Sequence, residues 1–132
     1  GGRHGMKRIV LTDPIFQIDY LIQRGGSRQS AVNEFAKRIG VETWAVEENP
    51  HVMGTYYSYE PLPSGLIWLS GDGAGFGTLS HECLHAIHYA MKTKRITLSD
   101  ETEELFCYYL QWMVNEISQG LGWVSKSRTQ KS

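Results

Sequence analysis

The chain has 132 residues, with 13 lysines and arginines against 14 aspartates and glutamates, which gives a net charge of −1. This length suits one small domain that can bury a core of its own. The balanced charge, with no basic block, argues against a nucleic-acid partner, and the lack of an apolar run of about 18 residues argues against a membrane span.

The two ends of the chain differ in composition from the part between them. Gly1-Gly2-Arg3-His4-Gly5 precedes Met6 and resembles a vector-derived remnant, so we exclude His4 from any site. Residues 125–132 are polar and basic, which is typical of a frayed tail. We therefore expect a single domain over residues 6–124.

The first elements in chain order are a strand and a short helix. Ile9-Val10-Leu11 predicts the strand, and Thr12-Asp13-Pro14 is its break. Residues 15–23 place apolar side chains at a spacing that favours a short helix, which Gly25-Gly26 would end.

The next element is an amphipathic helix. It begins at Ser27 or Ser30, either of which can act as its N-cap, and it runs to about Ile39. Gly40 follows in the position where glycine commonly ends a helix.

From residue 41 to residue 70 the composition favours strands. Val41–Val46, Val52–Tyr59 and Leu66–Leu69 are the predicted strands, and Asn49-Pro50 and residues 61–65 are the predicted turns. With the helices on either side, the expected class is α+β, a small mixed or antiparallel sheet packed against helices.

A short motif lies in the following helical stretch, which a glycine-rich loop over residues 71–77 precedes and Gly77 or Thr78 can cap. His81, Glu82 and His85 form His-Glu-x-x-His. Residues four apart on a helix lie one turn above each other, so both imidazoles can bind one zinc ion. Glu82 lies about 100° around the helix and can face a metal-bound water instead.

A catalytic zinc site usually has three protein ligands and an open position. The next predicted helix, from about Asp100 to Gly120, offers carboxylates in its first turn. Asp100 and Glu103 have the spacing of a capping box, which would give Glu103 a structural role at the third helical position. Glu101 would then lie in the first turn, where its charge suits the helix dipole.

Glu104 shares a stripe with Cys107, Tyr108 and Gln111, which we interpret as the packed side of this helix. Glu104 is therefore the preferred third ligand, followed by Glu103 and then by Glu101. The alternative is that all three are solvated acids at a helix start.

The chain resembles the gluzincin type of zinc metallopeptidase, and more closely the small phage and prophage zinc peptidases. The likeness lies in residues 77–86, Gly-Thr-Leu-Ser-His-Glu-Cys-Leu-His-Ala, and in residues 104–108, Glu-Leu-Phe-Cys-Tyr. It covers about residues 66–117. It implies a minimal zincin-like fold, a peptide or protein substrate, and a strand beside the motif helix that lines the cleft. Leu66–Ser70 and Val52–Tyr59 are the candidates for that strand.

The expected activity is zinc-dependent hydrolysis of a peptide bond. Zinc would lower the pKa of its bound water towards about 7 and polarise the substrate carbonyl. Glu82 would act as general base and then as general acid. The candidates for a further donor to the oxyanion are Tyr108, His88, His51 and Tyr57. His88 lies about 10.5 Å along the axis from His81, too far to bind the same ion.

Two further expectations concern the cysteines and a competing function. Cys83 and Cys107 lie on apolar helices, which fits a reducing cytoplasmic compartment and does not require a disulfide. Cys83 lies between the two histidines and points elsewhere, so it is a poor fourth ligand.

The competing function is a zinc-containing binding protein, of phage origin, that captures a host protein and cleaves little.

Overall fold

The computed structural model describes residues 5–125; the predicted remnant at residues 1–4 and the tail at 126–132 lie outside the described part. The elements in chain order are β1 (Lys7–Thr12), β2 (Asp19–Arg24), α1 (Arg28–Ile39), β3 (Gly54–Tyr59), β4 (Leu62–Leu69), α2 (Phe76–Thr93) and α3 (Glu103–Gly120). Within residues 5–125, no helix has the length and apolar character needed to cross a bilayer.

The strands form one four-stranded sheet in the order β1-β2-β4-β3. β1 pairs with β2 and β3 pairs with β4 in antiparallel fashion, whereas β2 and β4 are parallel. The predicted α+β class with a small mixed sheet is therefore confirmed. Of the two candidate cleft strands, Leu66–Ser70 falls mainly in the central strand β4, and only Val52–Tyr59 falls in an edge strand, β3.

Helices cover both faces of this sheet. Ile22 of β2 and Ile67 of β4 pack in the cluster that includes the buried sides of α2 and α3. Leu21 and Leu66, their neighbours along each strand, pack on the other face with α1. Successive strand residues point to opposite faces, so the alternation places α1 on one side of the sheet and the motif helix α2 on the other.

The helix predicted over residues 15–23 is wrong, because residues 19–24 form β2, which with β4 is one of the two central strands of the sheet. Tyr20, Leu21, Ile22 and Gln23 are all buried. A strand covered on both faces gives a continuous apolar run, which periodicity alone does not distinguish from a helical segment.

The predicted strand Val41–Val46 is also absent, since this segment is a loop beside α1. Trp44 packs its ring edge-on against Phe35 of α1, with ring centroids 6.4 Å apart, and against Tyr57 of β3 at 6.3 Å. The predicted turn over residues 61–65 is confined to Glu60-Pro61, because Leu62 already begins β4. The caps of α1 are confirmed: Ser27 accepts from the Ser30 backbone N–H, and Gly40 has φ 78°.

Asp13 has a larger structural role than the strand break that the sequence predicts. Its carboxylate is fully buried and accepts hydrogen bonds from the backbone N–H groups of Ile15, Phe16 and Ile18 at 2.6–2.9 Å. The Tyr109 hydroxyl of α3 donates to the same carboxylate at 3.0 Å. Asp13 therefore ties the β1–β2 connection to the core side of α3.

Candidate functional site

The motif helix α2 has one buried face and one exposed face. Its buried face contacts the sheet and α3 through Leu79, Cys83, Ala86, Ile87, Ala90 and Met91. His81 and His85 lie on the exposed face. The N-cap is Gly75 and has no side-chain cap, so the expectation that Gly77 or Thr78 caps the helix is wrong.

The two motif histidines point their rings at the same place. The Nε2 atoms of His81 and His85 lie 3.3 Å apart, and the ring centroids lie 4.9 Å apart. Two nitrogens held about 2.0–2.1 Å from one zinc at the tetrahedral angle would lie about 3.3–3.4 Å apart. The same two atoms are at hydrogen-bonding distance from each other without a metal. The pair has the spacing that two ligands of one tetrahedral ion require.

Glu82 lies on the side of α2 that faces the edge strand β3. It is only 6% exposed, and Gly54, the first residue of β3, packs directly beneath it. A Cβ on Gly54 would lie 3.2 Å from Glu82 Cγ and 3.3 Å from Glu82 Oε2. Burial raises the pKa of the Glu82 carboxyl, and the nearby His81 and His85 partly offset the increase. A carboxyl whose pKa is raised in this way is better suited to accept and return a proton than one at its ordinary pKa.

Gly54 should tolerate no side chain, because α2 approaches the strand too closely there. An added Cβ would lie 2.6 Å from Thr78 Cγ2 as well as against Glu82. We expect Gly54→Ala to lower the free energy of unfolding by about 1–3 kcal/mol, measured by urea denaturation. Gly77→Ala is the matched control, since its Cβ would meet no side chain or other element within 4 Å; it should stabilise α2 slightly. Equal stability of the two variants would contradict the close packing.

The start of α3 differs from the predicted capping box. Thr102 is the N-cap and Glu103 is the first helical residue. Thr102 Oγ1 accepts from the Ser99 backbone N–H at 2.9 Å and donates to the Thr97 carbonyl at 2.6 Å. Glu103 therefore does not occupy the third helical position, and the reason for assigning it a capping role is removed.

The stripe that carries Glu104 is not the packed side of α3. Glu104, Cys107 and Gln111 are exposed, and Tyr108 is 62% exposed. Buried Met113 lies nine positions after Glu104, which is about 180° around a helix. Glu103 lies only about 60° from Phe106, one turn further on. Both glutamates are exposed. Glu103 is on the side of α3 that carries Phe106, which lines the same cavity as His81 and His85, whereas Glu104 is on nearly the opposite side.

The structure does not bring either glutamate into contact with the histidines. Over residues 5–125 no group of three His, Cys, Asp or Glu side chains is placed to bind one metal ion. α2 and α3 run antiparallel, since Phe76 at the start of α2 contacts Trp123 just beyond α3, with ring centroids 5.3 Å apart. The first turn of α3 consequently lies towards the C-terminal end of α2. The described site has two converged donors, His81 and His85.

A groove of about 820 Å³ runs along the exposed face of α2. His81, His85 and His88 line one wall, residues 95–98 after α2 line the other, and Phe106 of α3 also contributes. A volume of this size is within the range that small-molecule and peptide ligands occupy. The sequence does not predict this groove. Its lining beyond α2 comes from the loop between α2 and α3 and from Phe106 of α3, and their positions depend on how that loop folds back.

The four candidate donors to the oxyanion lie in different parts of the structure. His88 lines the groove, and Tyr108 and His51 are exposed away from its lining. Tyr57 packs with α1 on the opposite face of the sheet from α2, where Arg28 donates to its hydroxyl at 3.4 Å. Of these four residues, the structure brings only His88 next to the motif histidines.

Both cysteines are free thiols, so they form no disulfide with each other. Cys83 is buried on the core side of α2, and burial raises the pKa of its thiol to about 12. Metal binding requires the thiolate. Because Cys83 is on the core side of α2, the expectation that it points away from the histidine pair is confirmed.

Comparisons with protein-family models, with curated proteins and with solved structures find no match to this chain. Its function must therefore be inferred from its own residues.

Proposed function

We propose that this protein is a zinc-dependent peptidase, with the metal on His81 and His85 and with Glu82 as the general base. The single observation that carries the proposal is the 3.3 Å separation of the two Nε2 atoms, which matches two ligands of one tetrahedral ion. The position of Glu82 supports it, since the carboxyl lies between this pair and an edge strand.

The donor chemistry fits zinc at two positions, because neutral imidazoles are common ligands of this ion. We place Glu103 ahead of Glu104 as the third ligand, since Glu103 is on the side of α3 that carries Phe106, a wall of the groove. For either residue, binding requires the first turn of α3 to move closer to the histidines. When bound, zinc supplies an activated water and polarises the carbonyl under attack.

The chain's own residues would do the rest of the work. Glu82 takes the proton from the attacking water and returns it to the leaving amine. The substrate backbone can pair with β3, which among residues 5–125 is an edge strand with no further strand on its outer side. Gly54 lets α2 approach the start of that strand, so a substrate paired with β3 would pass beside Glu82.

Metal analysis tests the ligand set. We expect about one zinc per chain in the wild type and almost none in His81→Ala, because the site loses one of its two imidazole ligands. Glu103→Ala should lose most of its zinc and Glu104→Ala should keep it. Mass spectrometry under native conditions measures the stoichiometry, and circular dichroism checks that each variant is folded. A wild type that binds no zinc, or a folded His81→Ala that binds it fully, would contradict the site.

A binding protein is the second candidate function. Two observations favour it: within residues 5–125 the histidine pair has no third donor in place, and the groove beside it is large. This candidate predicts that wild-type protein leaves peptides and unfolded proteins intact while it retains a tight partner. The peptidase predicts cleavage that depends on both zinc and Glu82.

A further inference from the structure

The groove along α2 is apolar over most of its length and cationic at one end. Its apolar walls include Leu84 and Leu98, which are 55% and 62% exposed, together with Ile96 and Phe106. Lys92 and Arg95 also line it, and we call these two residues the cationic end. In the part of the chain that the structure describes, neither residue forms an ion pair.

Arg95 lies just beyond Lys94, the C-cap residue of α2. Arg95 has φ 59°, a left-handed conformation in which glycine is the common residue at a helix C-terminus. Its N–H donates to the Lys92 carbonyl at 3.0 Å, and the Ile96 N–H donates to the Met91 carbonyl at 2.9 Å. This is the Schellman arrangement with arginine where glycine is usual. A residue other than glycine therefore occupies this left-handed position, and that residue, Arg95, lines the groove.

Nearby charges leave the cationic end available. The acids Asp100, Glu101, Glu103 and Glu104 follow in the chain, but none of them lines the groove. Lys94, in the same turn, is directed elsewhere: its Nζ lies 5.4 Å from the centroid of the Phe16 ring. In the structure described for residues 5–125, the groove thus joins an apolar trough to two cations, and no carboxylate lines it.

The spacing between the motif histidines and the cationic end determines how long a ligand must be to contact both. Lys92 follows His85 by seven positions on α2, which is about 10.5 Å along the axis. An extended peptide advances about 3.3 Å per residue, so this length corresponds to about three residues.

We propose that the cationic end selects substrates with a carboxylate about three residues from the bond that is cleaved, next to bulky apolar side chains in the trough. This inference rests on the proposed peptidase function for its cleavage site, but the recognition of an acidic, apolar peptide is a property of the groove itself. Lys92 and Arg95 are specificity residues in this scheme.

Binding to the zinc-loaded Glu82→Gln protein tests the recognition without turnover. The probes are dye-labelled, alanine-rich peptides with a central Phe-Leu, and they differ only in Glu or Lys at the third residue after that bond. A second pair carries the same difference at the third residue before it. In one of the two pairs, we expect the Glu peptide to bind about tenfold more tightly by fluorescence anisotropy, and the ratio should shrink as salt is added.

Four variants separate charge recognition from structure. Lys92→Ala and Arg95→Gly should each reduce the Glu-to-Lys ratio to about threefold, and the double variant should reduce it to about one. Arg95→Gly should melt at the same or a higher temperature than its parent, because glycine relieves the left-handed conformation. Lys94→Ala removes the same charge from the same turn but outside the groove, and it should leave the ratio near that of the parent.

The outcomes distinguish this inference from the proposed function. Cleavage of the peptides by the wild type with no preference for Glu at either position would overturn the inference and leave the peptidase standing. A Glu preference that depends on Lys92 and Arg95, without any cleavage by the wild type, would support the groove and overturn the peptidase. Equal loss of the ratio in Lys94→Ala and Lys92→Ala would overturn the assignment to the cationic end.

Discussion

Glu82→Gln should keep its zinc and lose peptide cleavage by about 10²–10⁴-fold in kcat. Glutamine has nearly the same shape as glutamate, so it can occupy the buried space against Gly54. It has no basic oxygen of comparable strength to take a proton from water. The measurement is steady-state cleavage of a fluorogenic peptide mixture, with zinc content determined on the same sample.

The matched control for this prediction is Glu42→Gln, which removes an exposed carboxylate from the loop after α1. It should retain wild-type zinc content and wild-type cleavage. A Glu82→Gln protein that cleaves as fast as the wild type would remove Glu82 from the mechanism. Loss of zinc together with cleavage would instead make Glu82 a structural support of the histidine pair.

Asp13→Ala should destabilise the protein by about 3–5 kcal/mol, a large share of the 5–15 kcal/mol that is typical of a small domain. The substitution removes the buried carboxylate that accepts hydrogen bonds from three backbone N–H groups and the Tyr109 hydroxyl, and the bonds from the Ile18 N–H and Tyr109 are themselves buried. Each buried donor without a partner bears the free-energy cost of its lost hydration. Urea denaturation followed by tryptophan fluorescence measures the change.

A variant of Tyr109 and an exposed control help to interpret the loss of stability in Asp13→Ala. Tyr109→Phe removes one bond to the carboxylate and also the 2.6 Å contact with the Tyr20 hydroxyl, and we expect it to cost about 1–3 kcal/mol. Asp72→Asn alters an exposed aspartate in the glycine-rich loop, and it should change stability by less than about 0.5 kcal/mol. If Asp13→Ala were as mild as Asp72→Asn, Asp13 would not have the role that its contacts indicate.

The two predictions separate the parts of the molecule that they test. Glu82→Gln tests the proposed site on α2, and this variant should be folded. Asp13→Ala tests the buried hydrogen bond that ties Tyr109 of α3 to the connection between β1 and β2. If partial loosening of α3 accompanies Asp13 variants, the groove wall at Phe106 should be affected as well, and peptide binding at a temperature where the protein is still folded would show it.

The sequence by itself determined the elements whose signals are local. The spacing of His81 and His85 places both rings on one helical face regardless of the rest of the fold, and Ser27 and Gly40 end α1 through contacts within one turn. Tertiary structure decided the features that depend on distant partners. Residues 19–24 form a strand because they are covered on both faces. The N-cap at Thr102, held by its contacts with Thr97 and Ser99, sets which way Glu103 and Glu104 point. Asp13 accepts a hydrogen bond from Tyr109, which lies 96 residues later in the chain. The groove forms only where the α2–α3 loop folds back, because side chains far apart in sequence become neighbours through packing alone.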